Sequence, residues 1–69
     1  MLLRDLLDGV DLEGFIIVQC WEAADRPTIY YSGINLNTSD VSDYLDREIS
    51  CMFPYLNNQA AAFCIELES

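Results

Sequence analysis

The chain has 69 residues, with 12 Asp and Glu, 3 Arg, no His and a formal net charge of −9. This length predicts one small domain over residues 1–69, and 52% hydrophobic residues are too many for a disordered acidic tail. The three arginines are scattered, so the charge excludes direct binding to nucleic acid or to an anionic membrane, and any partner is expected to be basic.

The N-terminal segment predicts a short helix over residues 2–8. Its leucines recur at helical spacing, and Gly9 follows as a stop signal. Because a helix this short is unstable alone, its leucines must pack on the rest of the domain.

Two strands are predicted next, over residues 15–21 and 28–32. Both segments are rich in β-branched and aromatic residues, and a turn at residues 24–27 is short enough to join them as a hairpin. The first strand is apolar on both faces in its first half, which is typical of a central strand or of one covered by a helix.

A second helix is predicted over roughly residues 40–46, with Thr38 or Ser39 as its N-cap. Apolar residues recur on its inner side at i, i+3 and i+4, namely Val41, Tyr44 and Leu45. Three carboxylates fall on its outer side, namely Asp40, Asp43 and Asp46.

Two further strands are predicted over residues 48–53 and 61–68, because hydrophobic residues alternate in both with period two. Pro54 ends the first of these or marks an edge strand, and Asn57-Asn58 is a turn signal. We expect one face of this pair to be buried, with the side chains of Ile49, Cys51, Phe53, Phe63, Ile65 and Leu67.

These elements predict an α+β fold in the order α-β-β-α-β-β. Two hairpins are expected to form one four-stranded antiparallel sheet, and the two short helices are expected to cover one of its faces. The other face would remain open.

The residue types argue against catalysis and against a metal or other cofactor. Three dispersed cysteines and no His cannot supply four close zinc ligands, and the usual acid–base residues are mostly missing. An enzyme is therefore the least favoured hypothesis, and no catalytic residue is assigned.

Cys20, Cys51 and Cys64 lie in apolar runs, which favours buried, reduced thiols in a cytoplasmic protein. Acidic residues near the N-terminus do not fit a signal peptide, and no apolar run approaches the length of a bilayer span.

The most distinctive surface is acidic. The second helix and the residues after it supply Asp40, Asp43, Asp46 and Glu48, and a second cluster consists of Asp5, Asp8 and Asp11. Carboxylates three residues apart on a helix are spaced about 4.5 Å along its axis, and side-chain reach extends this towards the phosphate spacing of a nucleic acid. The surface is either a decoy for a positively charged groove or an ordinary solvated surface that keeps the protein soluble.

Aromatic residues give a second set of candidate partner-binding side chains, Trp21, Tyr30 and Tyr31. The chain has more aromatic residues than one small core can bury, and Tyr and Trp beside polar residues are common at interfaces. Trp21 is expected on the open sheet face. The alternative is that it packs at the edge of the core beside Pro27.

Short motifs resemble those of small uncharacterised acidic proteins of Firmicutes phages and conjugative elements. They are the leucine helix at residues 3–7, Tyr31-Ser32-Gly33, Leu45-Asp46-Arg47-Glu48 and the final strand at residues 65–68. The resemblance covers nearly the whole chain and implies a mobile-element origin, but it brings no activity with it. Small acidic proteins of such elements are often inhibitors of host defence, including anti-CRISPR proteins, and several mimic DNA.

The sequence therefore favours a non-catalytic acidic module that binds protein. The first hypothesis for its function is that it is a mobile-element inhibitor, of the anti-CRISPR or DNA-mimic type, that acts on a nucleic-acid-binding protein of host defence. The alternative is a structural or accessory domain that self-associates as a homodimer through the open sheet face, with a charge that serves only solubility.

Overall fold

The computed structural model describes residues 1–57 and 60–69, and its elements follow the predicted order. They are the helix α1 (Leu3–Gly9), the strands β1 (Phe15–Cys20) and β2 (Thr28–Ile34), the 3₁₀ helix η1 (Thr38–Tyr44), and the strands β3 (Ile49–Asn57) and β4 (Ala60–Leu67). The α+β class is confirmed. Among the described residues, neither helix combines the length and apolar composition needed to cross a bilayer.

The four strands form one sheet in the order β2-β1-β4-β3. Both predicted hairpins are antiparallel pairs, but β1 and β4 pair in parallel at the centre, so the prediction of a purely antiparallel sheet is wrong and the sheet is mixed. A parallel pair needs a crossover connection of about a dozen residues or more. The segment at residues 35–48 crosses the sheet from β2 at one edge to β3 at the other, and this lets the two most buried strands, β1 and β4, lie side by side.

The core lies between the sheet and the two helices. The β1–β4 register pairs Val18 with Ile65 and Cys20 with Leu67, and all four side chains are buried on the covered face. Further buried side chains come from α1, β1, the loop after β2 and η1, namely Leu3, Ile16, Leu36 and Val41. Both helices therefore pack on the same face of the sheet, as predicted.

The second helix differs from its prediction at its start. It is a 3₁₀ helix with an irregular backbone at Val41, and the residue preceding it is Asn37 rather than Thr38 or Ser39. The backbone N–H of Asn37 donates to the Asp40 carboxylate at 3.0 Å. This bond satisfies a backbone donor that would otherwise be unpaired at the helix start.

A β-bulge in β3 changes the faces on which its side chains lie. Ile49 lies opposite Leu67, whereas Cys51 lies opposite Glu66, because the pairing shifts between them. Cys51 is exposed and Phe53 lies on the side away from the helices, so the prediction that both share the buried face with Ile49 is wrong. The strand continues through Pro54 at the sheet edge. The turn predicted at Asn57-Asn58 lies partly outside the described residues, because Asn58 is not among them.

Candidate functional site

The sheet face opposite the helices, called the open face below, is the candidate site. Alternation along β1 places Ile17 and Gln19 on this face while Ile16, Val18 and Cys20 face the core. The register then sets two rows of neighbours across the four strands. One row is Ser32, Ile17, Cys64 and Phe53, and the other is Ile29, Gln19, Glu66 and Cys51.

Exposed hydrophobic side chains are concentrated on the open face. Nine large hydrophobic side chains of the described residues are exposed, with Met1, Val10, Met52 and Leu56 lying elsewhere. The other five belong to the open face, with exposed fractions from 39% to 68%, and they are Phe15, Trp21, Ile29, Ile34 and Tyr55. Contiguous apolar surface of this kind usually marks an interaction site.

A groove of about 570 Å³ runs across the open face. Its walls are mostly apolar and include Ile17, Ile29 and Phe53, with Tyr55 nearer the start of β1. At the end nearest the carboxyl end of β1, the lining becomes polar, with Trp21 and the carboxylate of Glu66. An apolar concavity with a few converging polar groups is the usual form of a binding site.

Glu66 is the centre of this polar end. Its Oε2 accepts hydrogen bonds from the Gln19 amide at 2.8 Å and from the Trp21 indole N–H at 2.9 Å, and its Oε1 accepts one from the Cys51 thiol at 3.3 Å. The Trp21 bond contributes most to lowering the pKa of Glu66, and it outweighs the opposing effect of burial. The carboxylate is therefore ionised at neutral pH and held in place by neutral donors.

Two neighbouring thiols have pKa values that are raised, whereas the pKa of Glu66 is lowered. The hydrogen bond to Glu66 raises the pKa of Cys51, and burial raises the pKa of Cys64 to about 11. All three cysteines are free, and only Cys51 is exposed, so the prediction of a buried thiol is wrong at that position. Thiols with raised pKa values are poor nucleophiles at neutral pH, and this cluster does not favour cysteine chemistry.

The three predicted aromatic residues do not lie together. Trp21 is on the open face, as expected, but a β-bulge in β2 places Tyr31 opposite the buried Val18. Tyr30, at the bulge, stacks on Tyr44 of η1 with ring centroids 4.0 Å apart. Neither tyrosine therefore accompanies Trp21 on the open face, because one inserted residue reverses the alternation of β2.

The predicted acidic residues lie around the helices rather than on the open face. Four of them have intramolecular partners. Asp46 pairs with Arg4 at 2.6 Å, Glu48 pairs with the N-terminal ammonium at 2.9 Å, and Asp5 and Asp40 each accept a backbone N–H at 3.0 Å.

The remaining three acidic residues are exposed and have no hydrogen-bond partner among the described residues, namely Asp8, Asp11 and Asp43. Asp11 lies in a separate concavity beside Glu13 and Asn35. Within residues 1–57 and 60–69, no group of three or more His, Cys, Asp or Glu side chains could hold a metal ion.

Sequence reasoning missed Gln19, Ile29, Tyr55 and Glu66 as site residues. The available signal was the position of Gln19 and Glu66, which are polar residues inside otherwise apolar strands. Their contact depends on the parallel β1–β4 register, which an antiparallel arrangement of hairpins does not produce.

Comparisons with known protein families, with curated proteins and with solved structures give no match. The resemblance to mobile-element proteins therefore remains a prediction.

Proposed function

We propose that the protein is a non-catalytic module that binds another protein through the open face. The observation that carries this proposal is the concentration of exposed Phe15, Trp21, Ile29, Ile34 and Tyr55 on one sheet face. Leaving this much apolar surface in water lowers the solubility of a monomer, and a bound partner removes it from solvent.

The charge indicates the sign of the partner. A net charge of −9 on so small a chain attracts basic surfaces and speeds association with them at low salt. With the resemblance, this supports a narrower form of the proposal, in which the protein is a mobile-element inhibitor and its partner is a nucleic-acid-binding protein of host defence.

Self-association is the second candidate, because a second copy would also cover the apolar groove. The charge disfavours it, since each copy brings nine negative charges to the same assembly. Sedimentation separates the two candidates, because a heterologous binder sediments as a monomer when it is alone.

A matched pair of variants tests the proposal. Ile29 on the open face and Val10 in the loop after α1 are both 50% exposed, so Ile29→Ser and Val10→Ser remove comparable exposed apolar surface. We expect immobilised wild-type protein and Val10→Ser to retain the same partner from a bacterial lysate, and Ile29→Ser to lose it. Elution by salt would support a basic partner, and competition by DNA would support the narrower form. Equal retention by both variants would contradict binding through the open face.

A further inference from the structure

The Glu66 carboxylate has an unused acceptor position at the end of the apolar groove. A carboxylate offers about four lone-pair positions to donors. Three are occupied by Gln19, Trp21 and Cys51, and the weakest of these bonds, from the Cys51 thiol at 3.3 Å, is on Oε1. Oε1 of Glu66 can therefore accept a hydrogen bond from a further donor.

No cation of the described residues neutralises this carboxylate. Arg4 and the N-terminal ammonium are paired with Asp46 and Glu48. The guanidinium of Arg47 lies 5.6 Å from the Tyr30 ring centroid and donates to the Glu68 carbonyl at 2.7 Å. Arg26 takes part in neither of the two ion pairs within residues 1–57 and 60–69. The donors around Glu66 are thus all neutral, and its negative charge is uncompensated locally.

We propose that the groove receives a lysine or arginine side chain of the partner protein, with its aliphatic stem against Ile17 and Ile29 and its cationic end at Glu66 beside the Trp21 indole. This proposal rests on the proposed function and names the chemistry that the open face recognises. Long basic side chains bury their stems on apolar surface while the charged end stays with a polar group. The indole ring adds a favourable site for a cation.

Other occupants of the groove fit less well. A purely apolar side chain would remove water from an ionised carboxylate and leave it without a charge partner, which is costly. A second copy of this chain has only Arg26 to offer as a cation, because Arg4 and Arg47 are already engaged, and it brings nine negative charges with it. A basic side chain from a different protein supplies both the apolar stem and the missing charge.

Short peptides test this directly. The probes are acetyl-Val-Arg-Val-amide, its lysine counterpart, and its citrulline counterpart, which keeps the shape of arginine without the charge. Binding is followed by NMR at the indole N–H of Trp21, because the chain has 1 Trp. We expect saturable shifts with the arginine and lysine peptides, and an affinity weaker by about fivefold or more for the citrulline peptide.

Two variants that each remove one negative charge show whether peptide binding depends on Glu66 itself or only on the net charge. Glu66→Gln keeps an acceptor for Trp21 and Gln19, and we expect it to bind the arginine peptide no better than the citrulline peptide. Glu13→Gln removes one charge in a separate concavity, and we expect wild-type affinity. Absence of a saturable shift in the wild type, equal affinities for the arginine and citrulline peptides, or equal losses in the two variants would overturn the proposal. So would binding that appears only in Arg26→Gln, because the chain's own arginine would then fill the site.

This test is separable from that of the proposed function. If Ile29→Ser loses the protein partner while Glu66→Gln retains it at wild-type affinity, the cationic side chain is excluded and the open face remains the binding surface. If neither variant affects capture of the partner, both proposals fail.

Discussion

Two adjacent isoleucines of β1 separate the folding role of one sheet face from the binding role proposed for the other. Ile16 is 1% exposed in the core, whereas Ile17 lines the groove of the open face. Both lie in a central strand paired on both sides, so replacement by alanine reduces β-propensity equally at the two positions. Ile16→Ala should cost about 3 kcal/mol, because it also creates a cavity. Ile17→Ala should cost about 1 kcal/mol, because its side chain is uncovered on one side.

The difference is measurable against the stability of the whole domain. A domain of this length is expected to have a free energy of unfolding of roughly 3–10 kcal/mol. Urea denaturation followed by far-UV circular dichroism at two protein concentrations gives the values for both variants. Ile16→Val, which should cost about 1 kcal/mol, serves if Ile16→Ala does not fold. Equal costs for Ile16→Ala and Ile17→Ala would refute the reasoning, because the open face would then be covered in solution. A concentration-dependent midpoint would show that a second copy covers it.

Three further predictions concern charges and titrating groups. Glu66→Gln should accelerate alkylation of Cys51 by iodoacetamide, because the carboxylate raises the pKa of the thiol, and an unchanged rate would argue against the contact. The hydrogen bond that Tyr30 donates to Glu22 is the main reason that the pKa of Tyr30 is raised to about 12. The neutral phenol therefore stabilises the fold fully at pH values below the ordinary tyrosine pKa, and this stabilisation is lost as the pH rises through about 12. Tyr30→Phe should therefore remove the component near pH 12 from the phenolate absorbance titration, and persistence of that component would contradict the assignment. Asp46→Asn should lower the free energy of unfolding by less than about 1 kcal/mol in urea denaturation, because the ion pair of Asp46 with Arg4 is exposed. The same variant should associate more slowly with a basic partner. A much larger loss of stability would mean that the ion pair is structurally essential.

Local patterns predicted the elements of this fold well. Helical spacing of the leucines located α1, and alternation located the strands, because these signals depend on neighbours along the chain. Pairing between the hairpins is non-local, and the sequence offered no pattern that distinguished a parallel β1–β4 contact from an antiparallel one. The length of the segment at residues 35–48 was the available clue, since a crossover needs about that many residues.

The site was harder to predict than the fold because β-bulges reverse alternation. A single shift in β2 placed Tyr31 opposite the buried Val18, and another in β3 placed Cys51 beside Glu66. Each shift involves one residue and leaves no mark in hydrophobic periodicity. Trp21 was placed correctly because the alternation of β1 carries through to it without interruption.

Hydroxyl-radical footprinting of the complex with a captured partner tests the central claim most directly. Tyr55 and Met52 lie on opposite faces of β3 and are 43% and 41% exposed, so they report on the two faces from nearly equal starting points. The account predicts that partner binding protects Tyr55 and Trp21 from oxidation and leaves Met52 as reactive as in the free protein. Protection of Met52 with unchanged labelling of Tyr55 and Trp21 would contradict it.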